Sequence, residues 1–500
     1  MTAWTYFPWT VASVVVPLGL GLLAFVVGRR SHRFVAWAGG LTMPLVAAGL
    51  LAQVASVGTV RLELGGWARP LGIALQADAL SALMVALSSV VGVFTCIYAR
   101  EYFRTRNGAT TSTSTNSKAS FFWPLWLLLW GSLNALFVAA DVFNLYVTLE
   151  LATLASVGLV FLGRGSNAPS AGFRYLIVAL AGSLGYLFGV GLLYAAAGSL
   201  DLELIGANLD PGWTATVAAL VMTVGLMAKA ALFPLHFWLP GAHSSAPAPV
   251  SAVLSALVVK ASFYLVLRLW LDVFPGITPA FLLQGLSLLG AAAVIWGSIQ
   301  ALRTPRLKLL VAYSTVAQIG YLFLVLPLVV GVQDRLIAVA GILTFAIAHG
   351  LAKAAAFLTA GSIERSVGHD RIADLDGVGG VLPLSMFAFG LAGVSLSGLP
   401  PTGGFAAKWL LITSAIASAN WFVVAVLLVG GLLAAAYVTR VLRAALGTEA
   451  PPEATPCPSL EWPAMALAVA ALTLGFFVGP MTDLLAGQVG AIVSIAQVAP

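Results

Sequence analysis

Residues 212–270 read GWTATVAALVMTVGLMAKAALFPLHFWLPGAHSSAPAPVSAVLSALVVKASFYLVLRLW, with Lys229, Lys260 and Arg268 as the charged groups. Two apolar runs flank a short knot built from Pro234, His236, Pro240, Gly241 and His243. A helix needs about 20 apolar residues to cross the hydrocarbon of a bilayer, and each run supplies that length. Neither run alternates polar with apolar residues, so a membrane barrel is excluded. Extended over all 500 residues, the same character persists: 60% are hydrophobic and 8% charged. A soluble domain carries roughly 25% charged residues. Soluble enzymes, nucleic-acid binders and disordered scaffolds are therefore excluded, and the fold class is an all-α polytopic membrane protein.

Apolar runs between charged or Pro/Gly-marked breaks give about fourteen spans: 9–27, 35–57, 78–98, 120–140, 142–163, 174–197, 212–235, 247–270, 279–301, 309–331, 336–362, 381–417, 421–446 and 460–484. The stretch 381–417 is too long for one straight helix. The first span lacks a basic leader and a small-residue cleavage site, which predicts that it is retained. With the N-terminus outside, 16 of the 24 Lys and Arg fall on the inner side: Arg29, Arg30, Arg33, Arg100, Arg104, Arg106, Lys118, Arg164, Arg174, Arg303, Arg306, Lys308, Arg365, Arg371, Arg440 and Arg443. Four fall outside, Arg61, Arg69, Arg268 and Arg335. That bias follows the positive-inside rule, places both termini outside, and makes the net charge of +6 topological rather than a nucleic-acid signature. Asp201, Glu203 and Asp210 share a base-free loop on the outer side.

The loops are short. Asn107–Lys118 reads as a polar low-complexity linker and Gly447–Pro458 as a Pro/Glu-rich loop. Cys96 lies inside a span and Cys457 in a loop, so they are expected neither to pair nor to hold an iron–sulfur cluster. With no dinucleotide fingerprint or P-loop, no cofactor and no metal are expected.

Four lysines remain inside apolar runs: Lys229, Lys260, Lys353 and Lys408. Glu150 is the one acid read as deep in a span, and His349 precedes Lys353 by four residues, on the same helical face. Inserting one such charge costs about 2.5–3.5 kcal/mol. A single lysine could snorkel or fasten two helices, but a set of this size predicts a proton relay. Lysine suits that task because burial can release its proton, whereas arginine stays charged. Two spans are interrupted, one at Pro234, Pro240 and Gly241, the other around Gly398, with Pro400, Pro401, Gly403 and Gly404. Discontinuous helices in corresponding places of two halves mark ion sites in transporters.

Five stretches carry a resemblance: DVFNLYVTLE (141–150), the run from Lys229 to Lys260, LKLLVAYSTVAQIGY (307–321), AHGLAKAAAFLTAG (348–361) and SLSGLPPTGGFAAKW (395–409). They resemble the antiporter-like subunits shared by Mrp cation/proton antiporters, respiratory complex I and membrane-bound hydrogenases. The resemblance implies fourteen helices with two inverted five-helix repeats, each containing a broken helix. The organisation would be an N-terminal three-helix segment (1–119), a first repeat (120–271) broken near 229–241, a second (279–446) broken near 398–404, and a C-terminal helix (460–500). It also implies that Glu150 pairs with Lys229, that Lys260 connects to the second half, that His349 and Lys353 continue the axis, and that Lys408 is the exit group. His236 and His243 would flank the entry path.

Lys408 after the G-F motif and Gly241 in WLPGA make the chain similar to the Mrp D-type protein, while His236 and the AHSSAP spelling are more like complex I or hydrogenase relatives. The chain stops after its fourteenth span, which sets it apart from the largest complex I subunit. The expected function is proton translocation in a monovalent cation/proton antiporter of the bacterial inner membrane, with Na+, lipids and the other Mrp-type components (A, B, C, E, F and G) as partners. A subunit of a redox-driven pump, a proton-coupled inorganic-carbon uptake subunit and a stand-alone solute transporter are the alternatives.

Overall fold

Why the interrupted runs do not form straight helices is visible in the backbone of a computed structural model, which describes residues 7–27, 32–69, 72–104, 113–163, 166–275, 277, 280–330, 335–447 and 455–487. The first run forms α8 (Trp213–Lys229), which ends at the lysine itself. Pro234, which has no N–H to continue the ladder, follows after a turn, and a short 3-10 segment leads into α9 (Leu239–Ser245). The long stretch at 381–417 forms α14 (Pro383–Ser397) and α15 (Gly403–Ala417). Gly398 closes α14 with φ +82°, a conformation that disfavours a Cβ, and a Cβ there would also meet the Lys408 stem at 2.6 Å. Thr402 then caps α15 by accepting from Phe405 N at 3.2 Å.

Around these pieces lie α1 (Trp9–Val27), α2 (His32–Val57), α3 (Ala79–Tyr102), α4 (Thr113–Val138), α5 (Val142–Phe161), α6 (Asn167–Ala197), a short α7 (Leu202–Asn208), α10 (Ala248–Val273), α11 (Ala280–Arg303), α12 (Leu307–Val330), α13 (Arg335–Val367), α16 (Trp421–Ala445) and α17 (Pro458–Gly487). Among the described residues 12 helices are long and apolar enough to cross a membrane, and the α8/α9 and α14/α15 pairs fill the two interrupted places. The protein is a multi-span membrane protein. Its centre is α10, whose most apolar window is entirely buried, while α1 presents most of its surface outward. Exposed Leu22, Val26, Leu184, Phe188 and Leu432 make that outer surface apolar, as lipid requires.

Loops gather at two ends. At one end β1 (Val60–Glu63) and β2 (Ala74–Ala77) form an antiparallel hairpin. Arg61 pairs with Asp201, and Arg69 donates to Glu203 at 2.7 Å, tying the hairpin to α7. The Glu203 carboxylate beside it holds the Arg69 guanidinium above its ordinary pKa. At the other end Arg306 binds Asp370 at 2.8 Å, and Arg365 donates to the Tyr102 carbonyl.

Several boundaries differ from those expected. Residues 113–118, read as linker, begin α4, and residues 107–112 lie outside the described residues, as do both termini and 448–454 of the Pro/Glu-rich loop. Arg268, assigned to an outer loop, is in the last turns of α10 with its side chain 11% exposed. It pairs with Asp78, the N-cap of α3, at 2.5 Å, and so fastens α10 to α3 instead of lying in a loop. A further acid, Glu461 in the first turn of α17, is buried and accepts from Ser385 N at 2.9 Å and from Ser385 Oγ at 2.8 Å.

Candidate functional site

The four lysines predicted from sequence are all buried, and each ammonium is held by named oxygens. Lys229, at the end of α8, donates to Glu150 Oε1 and to Thr153 Oγ1, both at 2.8 Å. Glu150 and Thr153 are three residues apart on α5, hence on one face. Ser183 of α6 donates to the same carboxylate. The pair is possible because α6 and α8 touch through glycines: a Cβ on Gly182 would stand 2.5 Å from the Gly225 carbonyl, and one on Gly225 2.3 Å from the Gly182 carbonyl. That contact brings Lys229 within reach of α5. A narrow cavity, with room for about one water molecule, lies beside Lys229, lined by Thr153 and Tyr175 on one side and by Val258, Ala261 and Ser262 of α10 on the other. It leads from the first ion pair toward the helix that carries Lys260.

Lys260 follows a π-helical turn, Leu254–Val258, in which the Val259 N–H reaches back to the Leu254 carbonyl. Such widened turns displace backbone groups and recur at functional sites. Here Lys260 Nζ donates to the Ser255 carbonyl at 2.5 Å, and Ser255 Oγ shares a hydrogen bond of 2.8 Å with Thr315 Oγ1 on α12. Thr315 in turn donates to the Val311 carbonyl at 3.0 Å. Lys353 of α13 donates to that same carbonyl at 3.2 Å and to Ser314 Oγ. Lys260 and Lys353 are thus joined by a chain of polar groups on α10 and α12.

His349 lies beside both lysines and is 3% exposed, as its spacing predicted, yet neither ring nitrogen has a hydrogen-bond partner. Lys408 sits in the second turn of α15 and donates to the Ser397 carbonyl at 3.0 Å and the Leu396 carbonyl at 3.5 Å. These are the last carbonyls of α14, at the negative end of its dipole. The Tyr321 ring covers the ammonium 4.8 Å from its centroid. Both breaks therefore place a lysine at a helix end, Lys229 among side-chain oxygens and Lys408 among backbone ones.

His243 is 1% exposed, stacked on Phe357 with ring centroids 4.7 Å apart, and its Nδ1 has no partner. His236 lies half-buried against Phe233, also with Nδ1 unpaired. Lys308 corrects its assignment to an inner loop. It is 4% exposed, its Nζ donates to the Ala246 carbonyl beside His243, and its backbone N–H donates to Asp370 Oδ2 at 3.3 Å. Sorting by loop missed it because it opens α12 rather than lying midway along a span. Thr153, Ser183, Ser255, Ser314 and Thr315 were missed because hydroxyls carry no insertion penalty that would single them out. Thr153 alone had a usable signal, its i+3 spacing from Glu150.

Residues 139–434 match the family described as NADH:quinone oxidoreductase/Mrp antiporter, TM. The chain is 36% identical over 445 residues to the N subunit of the NADH-quinone oxidoreductase of Desulforudis audaxviator (strain MP104C), covering 86% of this chain and 85% of that one. It is 31% identical over 431 residues to the D-type protein of the Na(+)/H(+) antiporter of Alkalihalophilus pseudofirmus (strain ATCC BAA-2126 / JCM 17055 / OF4), with 84% and 83% covered. Its structure is similar to a chain of the Mrp complex from Dietzia sp. DQ12-45-1b, with a TM-score of 0.86, 25% identity, and 97% and 96% of the two chains covered. The chain belongs to the NADH:quinone oxidoreductase/Mrp antiporter transmembrane family, whose antiporter-like subunits work inside multisubunit membrane complexes.

Proposed function

We propose that this chain is the proton-translocating subunit of a multisubunit monovalent cation/proton antiporter of the Mrp type, in the bacterial cytoplasmic membrane with both termini outside. The observation that carries the reading is the polar line from the Glu150–Lys229 pair at one helix break, past Lys260 and Lys353, to Lys408 at the other. Lys229 holds or releases a proton according to the distance of Glu150. Lys260 passes the change across α10, with His349 standing by as a second acceptor. Lys353 receives it in the second half, and Lys408 delivers it. His243 and His236, at the end of the bundle where most bases gather, face the entry route, and Lys308 supplies a positive charge there. Other hydrophobic subunits of the complex extend the line and move the coupled cation, Na+ in this reading.

A second reading is favoured by the relative named as the N subunit of an NADH-quinone oxidoreductase, which is 36% identical. In it the same line is driven by a redox arm. Purification of the tagged chain in mild detergent separates the two. Several small hydrophobic subunits, with Na+-dependent proton exchange in everted vesicles, support the antiporter. Co-purifying iron–sulfur proteins and exchange that ignores Na+ refute it in favour of the redox-driven pump.

A further inference from the structure

Glu150 and Lys229 are joined by a direct hydrogen bond, a narrow cavity leads from Lys229 toward the helix of Lys260, and a short chain of polar groups links Lys260 with Lys353. From Lys353 to Lys408 the character of the line changes. Lys353 is bonded to Val311 and Ser314, Lys408 to Leu396, and those three residues line one narrow cavity. Neither lysine lines that space itself, but each ammonium is bonded to a residue that does, Lys353 on one side and Lys408 on the other. Tyr437 and Val438 of α16 complete it.

Tyr437 is 1% exposed, and its hydroxyl faces Ser314 and Gln318 without a formed hydrogen bond to either. Gln318 is itself fixed, donating from Nε2 to the Leu396 carbonyl at 3.2 Å. A buried hydroxyl with no partner costs about 1–3 kcal/mol, so packing alone does not explain a phenol where a phenylalanine would fit. The cavity is narrow, with room for about one water molecule. One water does not make a wire, but one water and a hydroxyl carried on the cavity wall do.

Resting on the relay reading above, we propose that Tyr437 is a proton-bridging residue between Lys353 and Lys408. The Ser314 hydroxyl, which donates to the Val311 carbonyl at 2.8 Å, turns to Tyr437 and passes its proton there as the Lys353 ammonium gives a proton to Ser314 Oγ. Tyr437 passes its own through one water to the neutral amine of Lys408. Lys353 ends neutral, Lys408 ends as ammonium, and both hydroxyls are restored. Gln318, fixed on the Leu396 carbonyl, lies beside the Tyr437 hydroxyl.

The test is proton flux into proteoliposomes by the whole complex carrying Tyr437→Phe, Tyr437→Ser, Ser314→Ala or Lys353→Ala, with subunit stoichiometry checked in each. Tyr437→Phe keeps the shape and removes the bridge, so flux falls by at least about tenfold. Tyr437→Ser opens space for about three waters, which replace the bridge and leave flux above that of Tyr437→Phe. A packing role gives the reverse order and overturns the proposal. Ser314→Ala carries the same test should the Tyr437 variants fail to assemble, with the same loss expected. Wild-type flux in Tyr437→Phe while Lys353→Ala abolishes it overturns the bridge and leaves the relay standing. Wild-type flux in both overturns the relay reading and the bridge with it.

Discussion

Shortening and then neutralising Glu150 grades the attraction that holds the Lys229 ammonium. The charged atoms are 2.8 Å apart, with side chains 4% and 16% exposed. At that distance, with an effective dielectric of about 20, the gross attraction is about 6 kcal/mol. Glu150→Asp withdraws the carboxylate by one methylene, to about 4.3 Å, and leaves about 4 kcal/mol. Glu150→Gln removes the charge but keeps an oxygen acceptor, and Thr153 still accepts at 2.8 Å. Relaxation recovers part of the difference, leaving about 3 kcal/mol lost, the low end for a buried pair stripped of one partner. At about 1.4 kcal/mol per tenfold, Glu150→Gln lowers proton flux more than about a hundredfold, and Glu150→Asp at most about thirtyfold. The assay is dye-reported proton flux in everted vesicles, normalised to assembled complex. Flux in Glu150→Gln within about twofold of wild type refutes the reasoning, since that margin is worth less than about 1 kcal/mol.

Three further outcomes are expected. Thr315→Val keeps the side-chain shape but breaks the bridge from Ser255 to the Val311 carbonyl, two hydrogen bonds worth about 1 kcal/mol each; flux in the same assay falls about tenfold with assembly normal. Gly225→Ala forces its Cβ against the Gly182 carbonyl, 2.3 Å away, and parts α6 from α8. A displacement of about 1 Å at the site can cost about a hundredfold, whereas Gly191→Ala on α6 meets nothing within 4 Å and leaves flux unchanged. Asp78→Asn removes the nearer of the two carboxylates paired with buried Arg268 and leaves Asp272 at 3.3 Å, so stability falls by about 1–3 kcal/mol; the thermal midpoint of the purified complex drops while flux per surviving complex does not.

What the sequence made legible was the part that costs free energy in lipid. Lys229, Lys260, Lys353 and Lys408 announce themselves because a charge in an apolar run is expensive, and Pro234 and the PPTGG run because they forbid a straight helix. The Glu150–Lys229 contact was implied by resemblance and is present at 2.8 Å. Three things were not legible. The π turn before Lys260 leaves no mark in composition, so the carbonyl it offers could not be foreseen. The hydroxyls of Ser255, Ser314 and Thr315 are cheap to insert and look like ordinary helix residues. Lys308 and Arg268 stand near span ends, where loop and buried positions differ by a single turn; one ties to a carbonyl beside His243, the other to the α3 N-cap.

The most direct test of the relay is Lys229→Ala in the whole complex, with proton flux measured in proteoliposomes after subunit composition is shown to match wild type. With Glu150 left unpaired at the first break and no ammonium to carry the charge, flux is abolished. A correctly assembled Lys229→Ala complex that moves protons at the wild-type rate would show that the buried lysines fasten helices and do not carry protons.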